Sequence, residues 1–280
     1  MFSFSLLSGI PLTQVEDKIA KLHGLKKVDF DERSAFREIL SFLDLTSLEG
    51  SDNKVKIDLL CRKALSMGEK GLPFPAAVCV YPPFVSHAKH LLQGSPVRVA
   101  TTAGAFPSGQ MSLAVKLAEI RYAIHEGADE IDVVISRGTF LENNYHVVFR
   151  ELDAMRETCR EQTLKVILET GELNSPENIA KASEIAIEAG ADFIKTSTGK
   201  ILPAATEEAM YIMLMVIREH FRKTGRKIGI KPAGGIAEPD KALRYYRLTD
   251  EILGKEWLSP TLFRIGASRL ADNLVNLLKP

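Results

Sequence analysis

The chain has 280 residues, with 36 Lys and Arg balanced by 36 Asp and Glu, 45% hydrophobic residues and 26% charged ones. Zero net charge excludes the broad attraction that carries a protein to nucleic acid or an anionic membrane, and the composition excludes a disordered or fibrous chain. Three scattered cysteines, Cys61, Cys79 and Cys159, are too few for a disulfide framework and point to a reducing, cytoplasmic setting. The opening "MFSFSLLSGIPLTQVEDK" lacks the basic region of a secretory signal, and no run approaches the roughly 18 apolar residues of a membrane span.

Residues 1–40 precede the first strand pattern. Within them "TQVEDKIAKL" has the apolar spacing of one helix, read as an N-terminal helical extension on the bottom or side of the main domain. From residue 41 to 280, short β-rich runs alternate with longer helical patterns. The expected strands are "SFLDLT", "AAVCVY", "VRVATT", "EIDVVI", "LKVILET", "DFIKTST", "KIGIKPA" and "LFRIGAS". Helices are expected at about 53–68, 84–93, 111–126, 143–161, 176–189, 206–224, 238–247 and 269–278. Punctuation agrees: Ser175 with Pro176 reads as a helix start, and Gly127 and Gly190 read as helix stops just before strands.

Eight such units over about 240 residues fit an α/β fold of the (β/α)8 TIM-barrel type, with the extra N-terminal helical segment. An open doubly wound sheet competes. The near-even spacing of strands three to eight, and the lack of a linker rich in Pro, Gly or Ser, favour the barrel.

Barrel enzymes work at the carboxyl ends of their strands. There the sequence places Asp44 and Thr46, Asp132, Glu169 and Thr170, Lys195 and Ser197, and Lys231. Lys195 and Lys231 lie in consecutive apolar strands. As neighbours about 4.8 Å apart they would repel by roughly 3 kcal/mol at an effective dielectric of about 20, lowering a lysine pKa by about two units in addition to any burial effect. That activates an amine for imine chemistry, with Asp132 as an adjacent proton carrier. Rim lysines reaching for water, and a structural ion pair for Asp132, are the bland alternatives.

"STGK", "PAGG" and "IGAS" put glycines at three strand ends, where backbone N–H groups can approach a phosphate. The candidates are Gly199, Lys200, Gly234, Gly235, Gly266 and Ser268. His87 and His90 lack a third ligand, so no metal is expected, and no cofactor motif is present. Cys79 reads as a small buried hydrophobe.

The motifs "LDLTSL", "AAVCVYP", "EIDVV", "LKVILETGEL", "ADFIKTSTGK", "KPAGG" and "RIGAS", in order over residues 41–272, resemble the deoxyribose-phosphate aldolase family. The resemblance implies a metal-free class I aldolase on a (β/α)8 barrel, cleaving 2-deoxy-D-ribose 5-phosphate reversibly to D-glyceraldehyde 3-phosphate and acetaldehyde. It implies Lys195 as the imine lysine, Lys231 as its perturber and Asp132 as the proton shuttle. Thr198, Gly199, Lys200, Gly234, Gly235, Gly266 and Ser268 would grip phosphate, with Asp44 and Thr46 near the substrate hydroxyls. Partners are then a phosphosugar and a second copy in a homodimer. Another Schiff-base aldolase or a phosphosugar-binding barrel stays as the alternative.

Three features depart from the family pattern. Arg269 stands where many members carry a second serine, "NLLKP" stands where some carry a tyrosine that assists proton transfer, and the N-terminal segment is extra.

Overall fold

The computed structural model describes residues 12–24 and 30–279. Eight parallel strands run β1 (Leu43–Thr46), β2 (Ala77–Val80), β3 (Arg98–Ala103), β4 (Glu130–Val134), β5 (Thr163–Ile167), β6 (Phe193–Lys195), β7 (Gly229–Lys231) and β8 (Ile265–Ala267). Their order is β7-β6-β5-β4-β3-β2-β1-β8, so each strand lies beside its sequence neighbour and β8 returns to β1. The fold is a (β/α)8 barrel. Its seam between β7 and β8 is closed by isolated bridges, Ile230 to Phe263 and Ala233 to Gly266, in place of a full ladder.

The helices between the strands are α3 (Lys54–Glu69), α4 (Val85–Leu91), α5 (Leu113–His125), α7 (Tyr145–Cys159), α8 (Pro176–Glu188), α9 (Glu207–Thr224), α10 (Pro239–Leu253) and, after β8, α11 (Arg269–Leu277). Their starts obey the expected chemistry. The side chains of Asn53, Ser175 and Thr206 each accept a hydrogen bond from an N–H of the first turn, satisfying a donor that the helix itself leaves open.

Two helices depart from expectation. The N-terminal segment carries α1 (Leu12–Gly24) and also α2 (Glu32–Ser41). In α2 the buried Ala35, Phe36, Ile39 and Leu40 have helical spacing, and Asp31 caps its start. A five-residue helix, α6 (Arg137–Leu141), comes after β4; it is too short for a periodic signal. The α1 side chains Val15 and Ile19 join the core, and α1 lies against α9 and α10, so this helix sits on the side of the barrel, while residues 1–11 and 25–29 of the expected extension lie outside the described residues. The α2 helix lies against α10 and α11, where Tyr246 donates to Glu38 at 2.8 Å and Arg33 donates to the Leu278 carbonyl at 2.9 Å.

Strand alternation sorts the side chains into two environments. Val78 and Val80, Ile131 and Val133, Leu164 and Val166, Ile194 and Ile230 point outward into one apolar shell shared with the helices. Inward-facing positions differ from the usual branched-aliphatic filling of a barrel. On β2 and β3 they are small, Ala77, Cys79 and Ala100, forming a separate apolar group with Leu48. On β4 to β7 the same alternation turns Glu130, Asp132, Lys165, Lys195 and Lys231 inward, and all five are buried. Small residues on one wall leave room for long charged side chains from the other.

The seam depends on Trp257, in the turn between α10 and β8. Its ring meets Phe221 edge-on at 5.0 Å, and its Nε1 donates to the Ile228 carbonyl at 2.9 Å, just ahead of β7. Trp257→Ala should cost about 3–5 kcal/mol, read as a fall in the urea midpoint. A loss below about 1 kcal/mol would show that the seam does not rely on it.

Candidate active site

A cavity of about 380 Å³ opens at the carboxyl ends of the strands. Its lining brings together nine of the residues expected from sequence: Thr46, Lys195, Thr198, Gly199, Lys200, Gly234, Gly235, Gly266 and Ser268. Arg269 lines it as well, at the first turn of α11. Asp44, Asp132 and Lys231 do not reach the cavity; they lie fully buried below its floor.

Lys195 forms that floor, 3% exposed at the last position of β6. Its Cα registers directly with that of Lys231 on β7, so the expected adjacency is real. The two ammonium groups do not simply face each other, because Asp132 lies between them. Its Oδ2 accepts from Lys195 Nζ at 2.7 Å and from Lys231 Nζ at 2.7 Å.

The balance of causes therefore differs from the sequence expectation. Burial is the largest influence holding the Lys195 ammonium below its usual range; Asp132 opposes it, and the charge of Lys231 contributes after that. Burial also disfavours a charged Lys231, yet Asp132 and Asp44 outweigh it and hold that lysine above its usual range. One lysine is eased toward the free amine, and its neighbour is fixed as the cation.

Sequence reasoning missed three of the seven members of the buried cluster, Glu130, Lys165 and Arg264. Lys165 of β5 donates to Asp132 Oδ1 at 2.9 Å and lies 2.5 Å from Glu130. Arg264, just ahead of β8, donates to Asp44 at 2.6 Å and to both oxygens of Glu130, at 2.7 and 3.1 Å. Asp44 also accepts from Lys231 at 2.5 Å. Both Asp44 oxygens are thus occupied by cations below the floor, and its carboxylate does not line the cavity. Despite burial, which favours the neutral acid, Lys165, Lys195 and Lys231 keep Asp132 well below the usual carboxylate range. The signal for Lys165 was the one that flagged Lys195, a lysine inside an apolar strand.

The glycine loops stand above this floor. Gly234 has φ +84°, and a Cβ there would lie 2.7 Å from the Ala204 Cβ and 3.0 Å from the Gly199 Cα, so this glycine lets the loops after β6 and β7 touch. At Gly266 a Cβ would lie 2.8 Å from the Ala233 Cβ, so its absence lets the strand end of β8 approach the loop after β7. Thr196 ties the same loops together, its Oγ1 accepting from the Ala233 N–H at 3.0 Å.

Glu169, at φ +56°, secures the start of "STGK". Its carboxylate accepts from the Thr198 N–H at 3.1 Å and from the Thr198 hydroxyl, and Arg137 of α6 reaches it at 3.1 Å. Burial raises this carboxyl above its usual range, while Thr198 and Arg137 pull it down. Lys200 is at the mouth, its Nζ 2.9 Å from Glu49 Oε1, so the expected phosphate cation holds a carboxylate partner there.

Cys79 is buried behind the cluster, and burial pushes its thiol up to about 11, as suits a small apolar filler. His87 is paired with Asp58 at 2.6 Å. Among the described residues no group of three His, Cys, Asp or Glu is arranged to hold a metal ion, and no helix is long and apolar enough to cross a membrane.

Comparison with known proteins agrees with this geometry. The model of the DeoC/LacD family of aldolases matches residues 38–245. The chain belongs to that family. It is 46% identical over 248 residues to human deoxyribose-phosphate aldolase, covering 84% of this chain and 78% of the human one. The mouse enzyme matches at the same identity and coverage. In fold the chain is similar to the Aeropyrum pernix deoxyribose phosphate aldolase, described as tetrameric: TM-score 0.70 at 22% identity, over 90% of this chain and 98% of that one. The family match stops at 245 and so leaves out Gly266, Ser268 and Arg269, which line the same cavity, and Arg264, which pairs with Asp44 below it.

The contrast between the two lysines has a direct readout. Cyanate, small enough to enter the cavity, should carbamylate Lys195 at least about tenfold faster than Lys231 at pH 7.5, as followed by peptide mass, because only free amines react. Equal rates would contradict the assignment.

Proposed function

We propose that the chain cleaves 2-deoxy-D-ribose 5-phosphate reversibly to D-glyceraldehyde 3-phosphate and acetaldehyde through an imine on Lys195. One observation carries this reading: an amine that burial eases toward its neutral form sits on the floor of a cavity roofed by glycine loops. The human and mouse relatives bear the name of that activity.

The chemistry follows from the placement of each group. The Lys195 amine attacks C1 of the open-chain aldehyde, and loss of water gives an iminium. The iminium accepts the electron pair of the C2–C3 bond as that bond breaks. The C3 hydroxyl gives up its proton and becomes the aldehyde of glyceraldehyde 3-phosphate. The remaining two-carbon enamine is protonated at C2, and hydrolysis frees acetaldehyde and Lys195.

In this proposal Asp132 acts through Lys195 Nζ and through water admitted as the imine forms, because its carboxylate does not line the cavity. Lys231 stays an ammonium, holding Asp132 ionised and disfavouring a second positive charge on Lys195. Thr198, Gly199, Gly234, Gly235, Gly266 and Ser268 take the phosphate, with favourable dipole from the start of α11. Lys200 joins them by exchanging Glu49 for the phosphate, and Thr46 meets the sugar. The rest of the reading is one catalytic barrel from residue 41 with the helical extension at its side. A cytoplasmic homo-oligomer completes it, supported by three buried, unpaired cysteines and by the exposed α3 pair Val55 and Leu59.

Incubation with acetaldehyde and borohydride should add one ethyl group to the peptide carrying Lys195. An adduct elsewhere, or none, would falsify the imine assignment and favour a phosphosugar-binding barrel. Gly234→Ala should raise KM for the phosphorylated sugar about tenfold or more and leave the rate measured with unphosphorylated deoxyribose nearly unchanged. Equal losses on both sugars would remove the phosphate from that loop.

A further inference from the structure

The ionic cluster continues well below the reacting lysine. From the cavity floor it runs Lys195 to Asp132, then to Lys165 and Lys231, then to Glu130 and Asp44, and ends at Arg264. Arg264 and Glu130 line a second cavity of about 450 Å³ at the amino ends of the strands, together with Arg98 and Phe193. Salt bridges thus span the barrel interior from one end to the other.

Its charges can be counted. Asp44, Glu130 and Asp132 are three buried carboxylates, and burial is outweighed in each by the cations around it, so each is held below its usual range. Lys165, Lys231 and Arg264 are three buried cations, each held above its usual range by those carboxylates in spite of burial. Lys195 is the remaining charge. Three face three, and an ammonium at Lys195 leaves one unmatched positive charge in a desolvated interior.

We propose that Glu130 and Arg264 are positioning residues for Lys195: they complete a buried charge set that balances only when Lys195 is a free amine. Lys231 alone is then an incomplete account of the activation, because each of its immediate carboxylate partners is shared. Asp132 is divided among Lys165, Lys195 and Lys231, and Asp44 between Lys231 and Arg264. Removing Arg264 would release Asp44 and Glu130 to bind the lysines more strongly. The excess negative charge would then be relayed through Lys165, Lys231 and Asp132 to Lys195. Removing the Glu130 charge acts in the opposite sense.

The groups that face Lys195 are Asp132 from β4, Lys231 from β7 and Cys79 from β2. Behind them stand Asp44 of β1, Lys165 of β5, Glu130 of β4 and Arg264 ahead of β8. Arg98 approaches Glu130 at 3.6 Å, but its side chain is 52% exposed, so solvent screens it and it stays out of the count. A purely structural Arg264–Glu130 pair would stabilise the barrel without any preference for the state of Lys195, and the sign of the pH response separates the two roles.

The test rests on the imine reading and uses the full chain. The acid limb of kcat/KM for deoxyribose 5-phosphate cleavage is compared with the pH midpoint of borohydride-trapped ethyl adduct on Lys195. Arg264→Gln leaves one carboxylate unmatched, holds Lys195 as the ammonium and should move both midpoints up by about one pH unit, the order expected of one buried charge at an effective dielectric of about 20. Glu130→Gln should move both down by a similar amount. The double variant Glu130→Gln/Arg264→Gln restores the balance and should bring both back toward the native midpoint, and Arg264→Lys should keep them there.

If Arg264→Gln does not fold, Lys165→Met removes another of the three matched cations and must shift both midpoints up. Loss of rate with no midpoint movement in the folded variants, or movement in the same direction for Glu130→Gln and Arg264→Gln, overturns the proposal. Absence of any native adduct on Lys195 instead overturns the imine reading on which it rests.

Discussion

Asp132 is the contact on which the rest of the interior depends. A fully buried carboxylate with two oxygens accepts from three lysines carried on three strands, β5, β6 and β7. No surface pair could organise so much, because water would compete for each partner. Buried, the arrangement is costly unless every member stays in place, so it fixes the relative heights of four neighbouring strands as firmly as it fixes charge. The barrel accommodates it by making the opposite wall small: Ala77, Cys79 and Ala100 occupy positions where branched aliphatics would otherwise fill the interior.

Cohesion and chemistry are thereby divided between two faces of the same strands. The outward-facing Val, Ile and Leu residues bury their surface against the helices in one continuous shell and supply the hydrophobic stabilisation. The inward face contributes little apolar burial and carries the charges. A barrel arranged in this way tolerates a demanding interior because its stability is drawn mainly from outside the ring.

Much of this was legible in the chain. The strands were readable because parallel strands buried on both faces appear as short apolar runs, and their even spacing around helical stretches implies closure. Lys195 and Lys231 stood out as charges inside such runs, and consecutive strands made them neighbours. The order of causes was not legible. Coulomb repulsion between two lysines can be worked out from strand spacing, whereas the carboxylate between them and the depth of their burial exist only once the barrel is closed. Arg264 was hidden for a related reason: its partners Asp44 and Glu130 are 220 and 134 residues away in sequence. The α6 helix escaped because five residues carry no period, although it delivers the Arg137 that reaches Glu169.

The position of β8 has a further consequence, for synthesis of the chain from its amino end. Asp44 belongs to the first strand and waits for a partner just ahead of the last, and α2 is held through Arg33 to carbonyls at the end of α11. A nascent chain that has reached α9 already holds Asp44, Glu130, Asp132, Lys165 and Lys195, but neither Lys231 nor Arg264, so it carries three acidic groups against two basic ones. Neither the ring of strands nor its internal neutrality can be completed until β8 and the Arg264 just ahead of it have emerged. Incomplete chains are thus distinguished from finished ones by an unbalanced interior, which disfavours premature closure and makes the last step of assembly a cooperative one.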